Sequence, residues 1–464
     1  MISGTGVPSF VHDLQTCVGC HACTVACANE NQLAPGTSWR QIVTFNEPRW
    51  PGLPVFHLSL ACNHCRQAPC LHQCPARAIS RDPRTHAVVI DDGACIGCRY
   101  CSWVCPYDAP RFDAGRGVMT KCTLCNHRLE VGLEPACVSL CPVGALRLGE
   151  HRDDRPRAVA GFPDRGIRPL IRFEPMRSRG SSAPTESAPR PADAWPPAGR
   201  ARKISLRTEW TLALFTFVAI VVFGARTGGL IRGIAVPAVP ALLAGALAVA
   251  VSSLHLGRSG RAWRAASNWR TSWLSREVLS FSTFLGAVAV SAVVTPGDPR
   301  IAGLAAVAGL LCLFCIDRVY LAMARVPRSS FDSVEAVSSG AFLAGIFSGE
   351  PALFLALGAM RVCAFAARVR GKWANTRSSD RAGDLLRVIV GWVLPLAMWI
   401  GGGAWAGWPA VALVVAGEAL DRMAFYDALE IVTPTLLMAR DLESQVAAIR
   451  PGADAAPAGH TAGM

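Results

Sequence analysis

Residues 95–106 read CIGCRYCSWVCP, with Cys95, Cys98, Cys101 and Cys105 spaced C-x2-C-x2-C-x3-C and Pro106 directly after. Three thiolates in one tight loop suit three irons of a cubane, and the fourth, one helical turn on, reaches a different cluster. The same spacing stands at Cys17, Cys20, Cys23 and Cys27. Two further frames lengthen one gap: Cys62, Cys65, Cys70 and Cys74 before Pro75, and Cys122, Cys125, Cys137 and Cys141 before Pro142. This is a two-cluster ferredoxin pattern used twice. It supplies sixteen ligands, enough for four [4Fe-4S] clusters, and predicts an α+β, bis-ferredoxin-like electron-transfer domain. Structural zinc pairs two C-x2-C knuckles and has no use for a third cysteine at this spacing or a fourth before proline.

The rest of the chain is unlike this. Of 464 residues, 51% are hydrophobic and 17% charged, with 19 cysteines, 32 prolines and a net charge of +13. A soluble domain is usually nearer a quarter charged, and small disulfide scaffolds are several times shorter. The average hides two parts, because only Cys312, Cys315 and Cys363 follow the four frames. The organisation expected is a cluster domain over 1–175, a disordered basic Pro/Ser/Arg-rich linker over 176–207, a membrane anchor over 208–440 and a flexible tail over 441–464. The anchor reads as an all-α transmembrane domain of eight helices, near 210–226, 235–255, 277–295, 301–321, 333–349, 351–368, 385–402 and 405–424. The Trp residues at 210, 263, 269, 273, 373, 405 and 408 suit interface anchors.

Lys and Arg alternate between the loops: thirteen before the first span, then two, five, one, three, none, at least five and none. The positive-inside rule puts the cluster domain on the cytoplasmic side of a multi-pass inner (cytoplasmic) membrane protein. Residues 1–16 have no signal-peptide pattern, so a cytoplasmic start with reduced thiols is expected. Two alternatives stay open: the loops are basic because they cap the cluster domain, or an exported partner carries the chain outward.

The segments CVGCHACTVAC (17–27), CNHCRQAPCLHQCP (62–75), CIGCRYCSWVCPYDAP (95–110), MTKCTLCNHR (119–128) and CVSLCPVGAL (137–146) resemble the four-cluster electron-transfer subunits of the dimethyl sulfoxide reductase family. The resemblance covers about residues 8–175. TEWTLALFT (208–216), the stretch 252–280 around His255, DRVYLAMARVP (317–327) and GEALDRMAFY (417–426) are similar, more weakly, to the same complex's haem-free, quinol-binding membrane anchor, here fused to the cluster subunit. The resemblance implies four ligand sets: Cys17, Cys20 and Cys23 with Cys141; Cys122, Cys125 and Cys137 with Cys27; Cys62, Cys65 and Cys70 with Cys105; and Cys95, Cys98 and Cys101 with Cys74. It also implies that the second and third frames lie nearer the membrane.

Absence of haem has independent support, since His255 is the one histidine between the connector and His460, and a bis-histidine haem needs two. Quinone chemistry moves two protons with two electrons, so proton-accepting groups are required beside a one-electron wire. By similarity, His255 and Glu277 match the family's quinone-binding positions. The alternative for Glu277 is a carboxylate favoured at a helix N-terminus, and for His255 an ordinary interfacial residue. Glu418, a carboxylate inside the eighth span, reads either as a functional group or, more simply, as the i,i+4 partner of Arg422. Lys121 and Arg99, each beside a frame cysteine, read either as tuners of cluster potential or as exposed basic residues.

Three functions follow. The first is an electron-transfer and anchor subunit passing electrons between menaquinone or ubiquinone and a molybdopterin-containing catalytic subunit in anaerobic respiration of sulfoxides or N-oxides. The second is the same role in a cytoplasm-facing sulfite dehydrogenase that donates to quinone. The third is a redox-sensing or transport membrane protein, which would carry more mid-membrane charge than Glu418. Partners expected are the catalytic subunit, membrane lipid and quinone, and no nucleic acid. A reporter fused after Met464 is expected to register the cytoplasmic side; a periplasmic signal would overturn that sidedness.

Overall fold

The computed structural model describes residues 6–47, 54–151, 159, 162–163, 166–174, 204–294, 298–324, 335–370, 378–400 and 407–449. The expected linker lies outside the described residues up to 203, and the tail does so from 450.

The cluster domain is built of short strands: β1 Pro8–Asp13, β2 Gln41–Phe45, β3 Phe56–Leu60, β4 Ile79–Arg81, β5 Val88–Ile90, β6 Arg111–Asp113, β7 Val118–Thr120, β8 Leu146–Glu150 and β9 Ile171–Glu174. Three form a sheet in the order β8-β1-β9, antiparallel on one side and parallel on the other, with Phe10 opposite Leu148 and Ile171. The others pair as hairpins β2-β3, β4-β5 and β6-β7. Strand β9 ties residues 171–174 to the domain, as does the Arg66 amide donating to Arg168 O at 2.9 Å. Five short helices accompany the cysteines: α1 Ala22–Glu30, α2 Pro69–His72, α3 Tyr100–Trp103, α4 Asn126–Glu130 and α5 Ala136–Ser139. The turn before α3 needs a left-handed residue, Arg99, at φ 60, and the cysteine loops pass through other positive-φ residues.

The second half is helical: α6 Leu206–Arg232, α7 Ala238–Ser252, α8 Trp273–Val293, α9 Pro299–Leu321, α10 Glu335–Ser348, α11 Pro351–Arg370, α12 Ser378–Val388, α13 Leu394–Ile400, α14 Gly407–Ala428 and α15 Pro434–Ile449. A π-helical turn, Ile389–Val393, joins α12 to α13. The boundaries have local causes. Ser205 and Thr208 make a reciprocal capping box at α6, Ser272 caps α8, and Asp298 with Pro299 opens α9. Four helices, Leu206–Arg232, Ala238–His255, Trp273–Val293 and Pro299–Leu321, are long and apolar enough to cross a membrane among the described residues. The other expected spans coincide with shorter or more charged helices. Helix α10 has 14 residues, about 21 Å at 1.5 Å each, and α14 carries Glu418, Asp421 and Arg422. Helix α15 runs past residue 440 to Ile449.

The two halves meet backbone to backbone. A Cβ on Gly257 would lie 2.2 Å from Gly117 O, and one on Gly97, at φ +71, would lie 2.5 Å from Gly117 O and 2.8 Å from Gly257 Cα. Residues 258–275 then line the second and third frames with donors. Asn268 Nδ2 donates to Cys74 O at 2.9 Å and to His72 O at 3.1 Å, Thr271 to His72 O at 2.7 Å, and Ser272 to Gln73 O at 2.9 Å. The Arg258 amide donates to Ile96 O at 3.2 Å, and the Arg261 guanidinium to Asp92 O at 2.9 Å. From the opposite side, Tyr100 donates its hydroxyl proton to Val319 O at 2.8 Å. Arg258, which also donates to Arg116 O at 3.0 Å, and Arg261 therefore serve docking, so the charge of these two is not an independent marker of sidedness. Gly257→Ala is expected to cost on the order of 1–3 kcal/mol through overpacking, read as a lower Tm and faster protease release of the cluster domain. An unchanged Tm would show that the approach can relax.

Candidate functional site

Most frame cysteines are buried, with Cys17, Cys98 and Cys141 partly exposed and Cys20 exposed. Electrostatic neighbours gather them into groups. Cys17 faces Cys23, Cys141 and Cys20; Cys27 faces Cys137 and Cys125. Cys65 and Cys70 both face Cys62 and Cys105, and Cys98 and Cys101 both face Cys74 and Cys95. The fold thus brings together cysteines of different frames that are distant in sequence.

The surroundings fit an iron–sulfur group. A cavity is lined by Cys62, Cys65, Cys70 and Cys105, with His64 and Lys121 in its wall. His64 Nδ1 accepts the Val88 amide at 3.0 Å, which leaves its proton on Nε2, a buried donor without a partner. Amides point at the sulfurs: Ala78 to Cys74 at 3.3 Å, Leu124 to Cys122 at 3.4 Å, Leu146 to Cys141 at 3.4 Å and Met119 to Cys95 at 3.5 Å. Such bonds help set cluster potentials. Burial pushes the thiols of Cys27 and Cys70 up to about 12, so a bound cation is needed to hold them as thiolates near neutrality. Among the described residues, no three His, Cys, Asp or Glu side chains are placed to hold a single metal ion.

Two cations sit inside this thiol-rich core. Lys121 is buried rather than exposed, donating to Cys122 O at 3.0 Å and to Val88 O. Burial disfavours its charge, but Cys62, Cys70 and Cys122 outweigh that and raise its pKa. Arg40 is 1% exposed. It donates to Ser59 Oγ at 2.8 Å and stacks on Phe10 at 4.3 Å, while Nε and Nη2 have no partner. Burial again opposes the charge, and Cys137, Cys122, Cys23 and Cys27 overcome it, so its pKa is raised. Cysteine spacing does not single out Arg40; its place depends on tertiary packing.

At the junction of the halves lies a cavity of about 380 Å³ whose wall includes His255, Arg99, Phe112, Thr208, Trp210 and Thr211. His255 Nδ1 meets Ser252 O; a carbonyl only accepts, so Nδ1 carries the proton and Nε2 keeps a free lone pair. Glu277 is buried in the first turns of α8 and is not among the residues lining the cavity; Tyr100 and Arg422 are its electrostatic neighbours. Deeper in the helices, Glu418 pairs with Arg361 at 3.1 Å, not with Arg422. Arg361 also reaches Asp421 at 2.5 Å, and Arg387 joins Asp421 at 3.4 Å and Asp384. Arg422 instead donates to Thr216 at 2.9 Å and lies over Tyr320, Phe425 and Tyr426. The i,i+4 rule misplaced this pair because helix packing offered Glu418 a bidentate partner on another helix.

A family model described as a 4Fe-4S dicluster domain matches residues 53–151. A sulfite dehydrogenase subunit of Allochromatium vinosum is 33% identical over 217 residues, covering 40% of this chain and 90% of that protein. The probable anaerobic dimethyl sulfoxide reductase chain YnfG of Escherichia coli K12 is 36% identical over 167 residues, covering 33% and 81%. The chain belongs to the family of dimethyl sulfoxide reductase-type iron–sulfur subunits. A tetrathionate reductase subunit of Salmonella typhimurium is 40% identical over 147 residues, covering 31% of this chain and 58% of that one. As a member of this family it is an iron–sulfur electron-transfer protein, and in this chain apolar helices follow the cluster domain. Arg40→Gln is expected to make at least one cluster potential more negative by roughly tens of millivolts, because a buried positive charge favours reduction. Arg40→Lys should restore most of the shift in a redox titration, and no shift in either variant would remove Arg40 from potential setting.

Proposed function

We propose that the chain is the electron-transfer and membrane-anchor subunit of a molybdopterin oxidoreductase, carrying electrons between membrane quinone and a separate catalytic subunit. The observation that carries this reading is the packing of the second and third cysteine frames against residues 253–275, beside the cavity that contains His255. In the proposal the sixteen cysteines ligate four [4Fe-4S] clusters in the four sets that the resemblance implies, within a bis-ferredoxin-like domain over 1–175. The linker over 176–207 leads to a haem-free anchor of eight spans over 208–440 and a tail over 441–464, with the cluster domain on the cytoplasmic side. When bound, the clusters supply single-electron steps.

The chain's own residues do the rest. Phe112 and Trp210 give the cavity aromatic walls suited to a quinone ring. His255, fixed through Nδ1, offers Nε2 to a quinol hydroxyl, and Glu277 is the carboxylate that the resemblance adds to the quinone site. Electrons from quinol to a sulfoxide- or N-oxide-reducing partner, or from a sulfite-oxidising partner to quinone, use the same path in opposite directions. A transport role has its own supporting observation, the buried cluster of Arg361, Arg387, Glu418, Asp421 and Asp384. Its charges are already paired with one another, and family membership weighs for electron transfer.

His255→Ala and Glu277→Gln are each expected to leave the dithionite-reduced cluster spectrum intact and to slow electron exchange with quinol by about 100-fold or more. Normal exchange in both would remove them from the mechanism. Purification of the chain without a molybdenum-containing subunit would sink the partnership.

A further inference from the structure

Two charged groups at the junction cavity are left unexplained by the cysteine frames and His255: Arg99, which lines it, and Glu209, which does not line it but lies behind Arg99, between the lining residues Thr208 and Trp210. Arg99 follows the frame residue Cys98, and its left-handed backbone redirects the chain there. Its guanidinium lies over Phe112 at 4.3 Å, and its Nε is buried without a partner. Next to it, Glu209 is 1% exposed, with Oε1 3.8 Å from Arg99 Nη1 and Oε2 unpartnered. Glu209 also breaks the helix geometry of α6, at φ −124 and ψ 25, between the cavity-lining neighbours Thr208 and Trp210. It is not needed as a cap, because Ser205 and Thr208 already satisfy each other. A buried carboxylate and a guanidinium held too far apart for a hydrogen bond, each with an idle polar atom, are poorly compensated unless something between them completes the bonding.

We infer that Arg99 and Glu209 are quinone-site residues: Arg99 holds one oxygen of the quinone head beside the third cysteine frame, and Glu209 exchanges the proton of that oxygen. The inference rests on the quinone reading proposed for this chain. Oxidation of one quinol breaks two O–H bonds and releases two electrons and two protons. The electrons pass singly to the iron–sulfur frames, one proton goes to His255 Nε2, and the other to Glu209 Oε2. Quinone reduction runs the same transfers backwards. A guanidinium suits a carbonyl oxygen and an oxyanion alike, since it donates without being deprotonated, and its place next to Cys98 puts the held oxygen on the side where electrons leave.

The test uses the full chain with its catalytic partner in detergent, with menadione and menadiol as probes. Equilibrium dialysis gives menadione affinity, stopped-flow bleaching by menadiol gives the rate, and the dithionite-reduced cluster spectrum controls for folding. Arg99→Leu is expected to weaken menadione binding roughly tenfold or more, with Arg99→Lys recovering part of it. Glu209→Gln is expected to keep the affinity within about threefold while slowing bleaching at saturating menadiol by roughly 100-fold. If Arg99→Leu alters the dithionite-reduced spectrum, Glu209→Gln, remote from the frame cysteines in sequence, decides alone. Wild-type affinity and rate in Glu209→Gln and Arg99→Lys, while His255→Ala is blocked, would overturn the inference and leave the quinone reading standing. A wild-type complex that dithionite bleaches and menadiol does not would overturn the quinone reading itself.

Discussion

The approach of Gly97, Gly117 and Gly257 is the contact on which the rest of the arrangement depends. Electron transfer weakens steeply with distance, so in the proposed function a close approach of the third frame to the helical half favours exchange with a membrane substrate. Glycine on both sides removes the side-chain layer. The carbonyls at the ends of the second and third frames are then free to accept from Asn268, Thr271, Ser272 and Arg261. These bonds satisfy backbone groups that would otherwise be buried unpaired, and they fix the junction cavity between Arg99 and His255.

Charge is the second constraint. Sixteen cysteines in one small domain repel one another as thiolates, and burial makes each harder to ionise. Iron compensates part of this, and the chain adds Arg40 and Lys121, both buried, each facing thiols of more than one frame. The helical half follows the same rule with opposite ingredients. Arg361 is buried against Glu418 and Asp421 rather than left alone, as an ion in a low-dielectric interior must be.

Much of this is legible in sequence, for a physical reason. Cluster ligation is local: three cysteines within one loop must be spaced by the loop's own geometry, so 95–106 announces its chemistry without help from the fold. Apolar helices are equally local, and α6, α8 and α9 fall near the first, third and fourth expected spans. What the sequence conceals is pairwise and distant. Glu418 has Arg422 one turn away, yet its partner is Arg361, chosen by helix packing. Arg99 and Lys121 sit beside cysteines in sequence, but only the fold separates their fates: Lys121 is sealed in the thiol core, while Arg99 reaches the cavity and Glu209. The basic loop at 258–276 is readable as a topology signal or as a cap, and its hydrogen bonds place it on the cluster domain.

In the proposed function, electrons cross this one chain between the bilayer and the cysteine frames. The most direct measurement is to reconstitute the complex in liposomes, reduce it anaerobically, and follow cluster EPR signals after supplying a long-tailed quinone dissolved in the bilayer. The signals are expected to disappear on the time scale of turnover when bilayer quinone is present and to persist in quinone-free liposomes. Clusters that stay reduced beside bilayer quinone, while a water-soluble oxidant bleaches them, would contradict the proposed function.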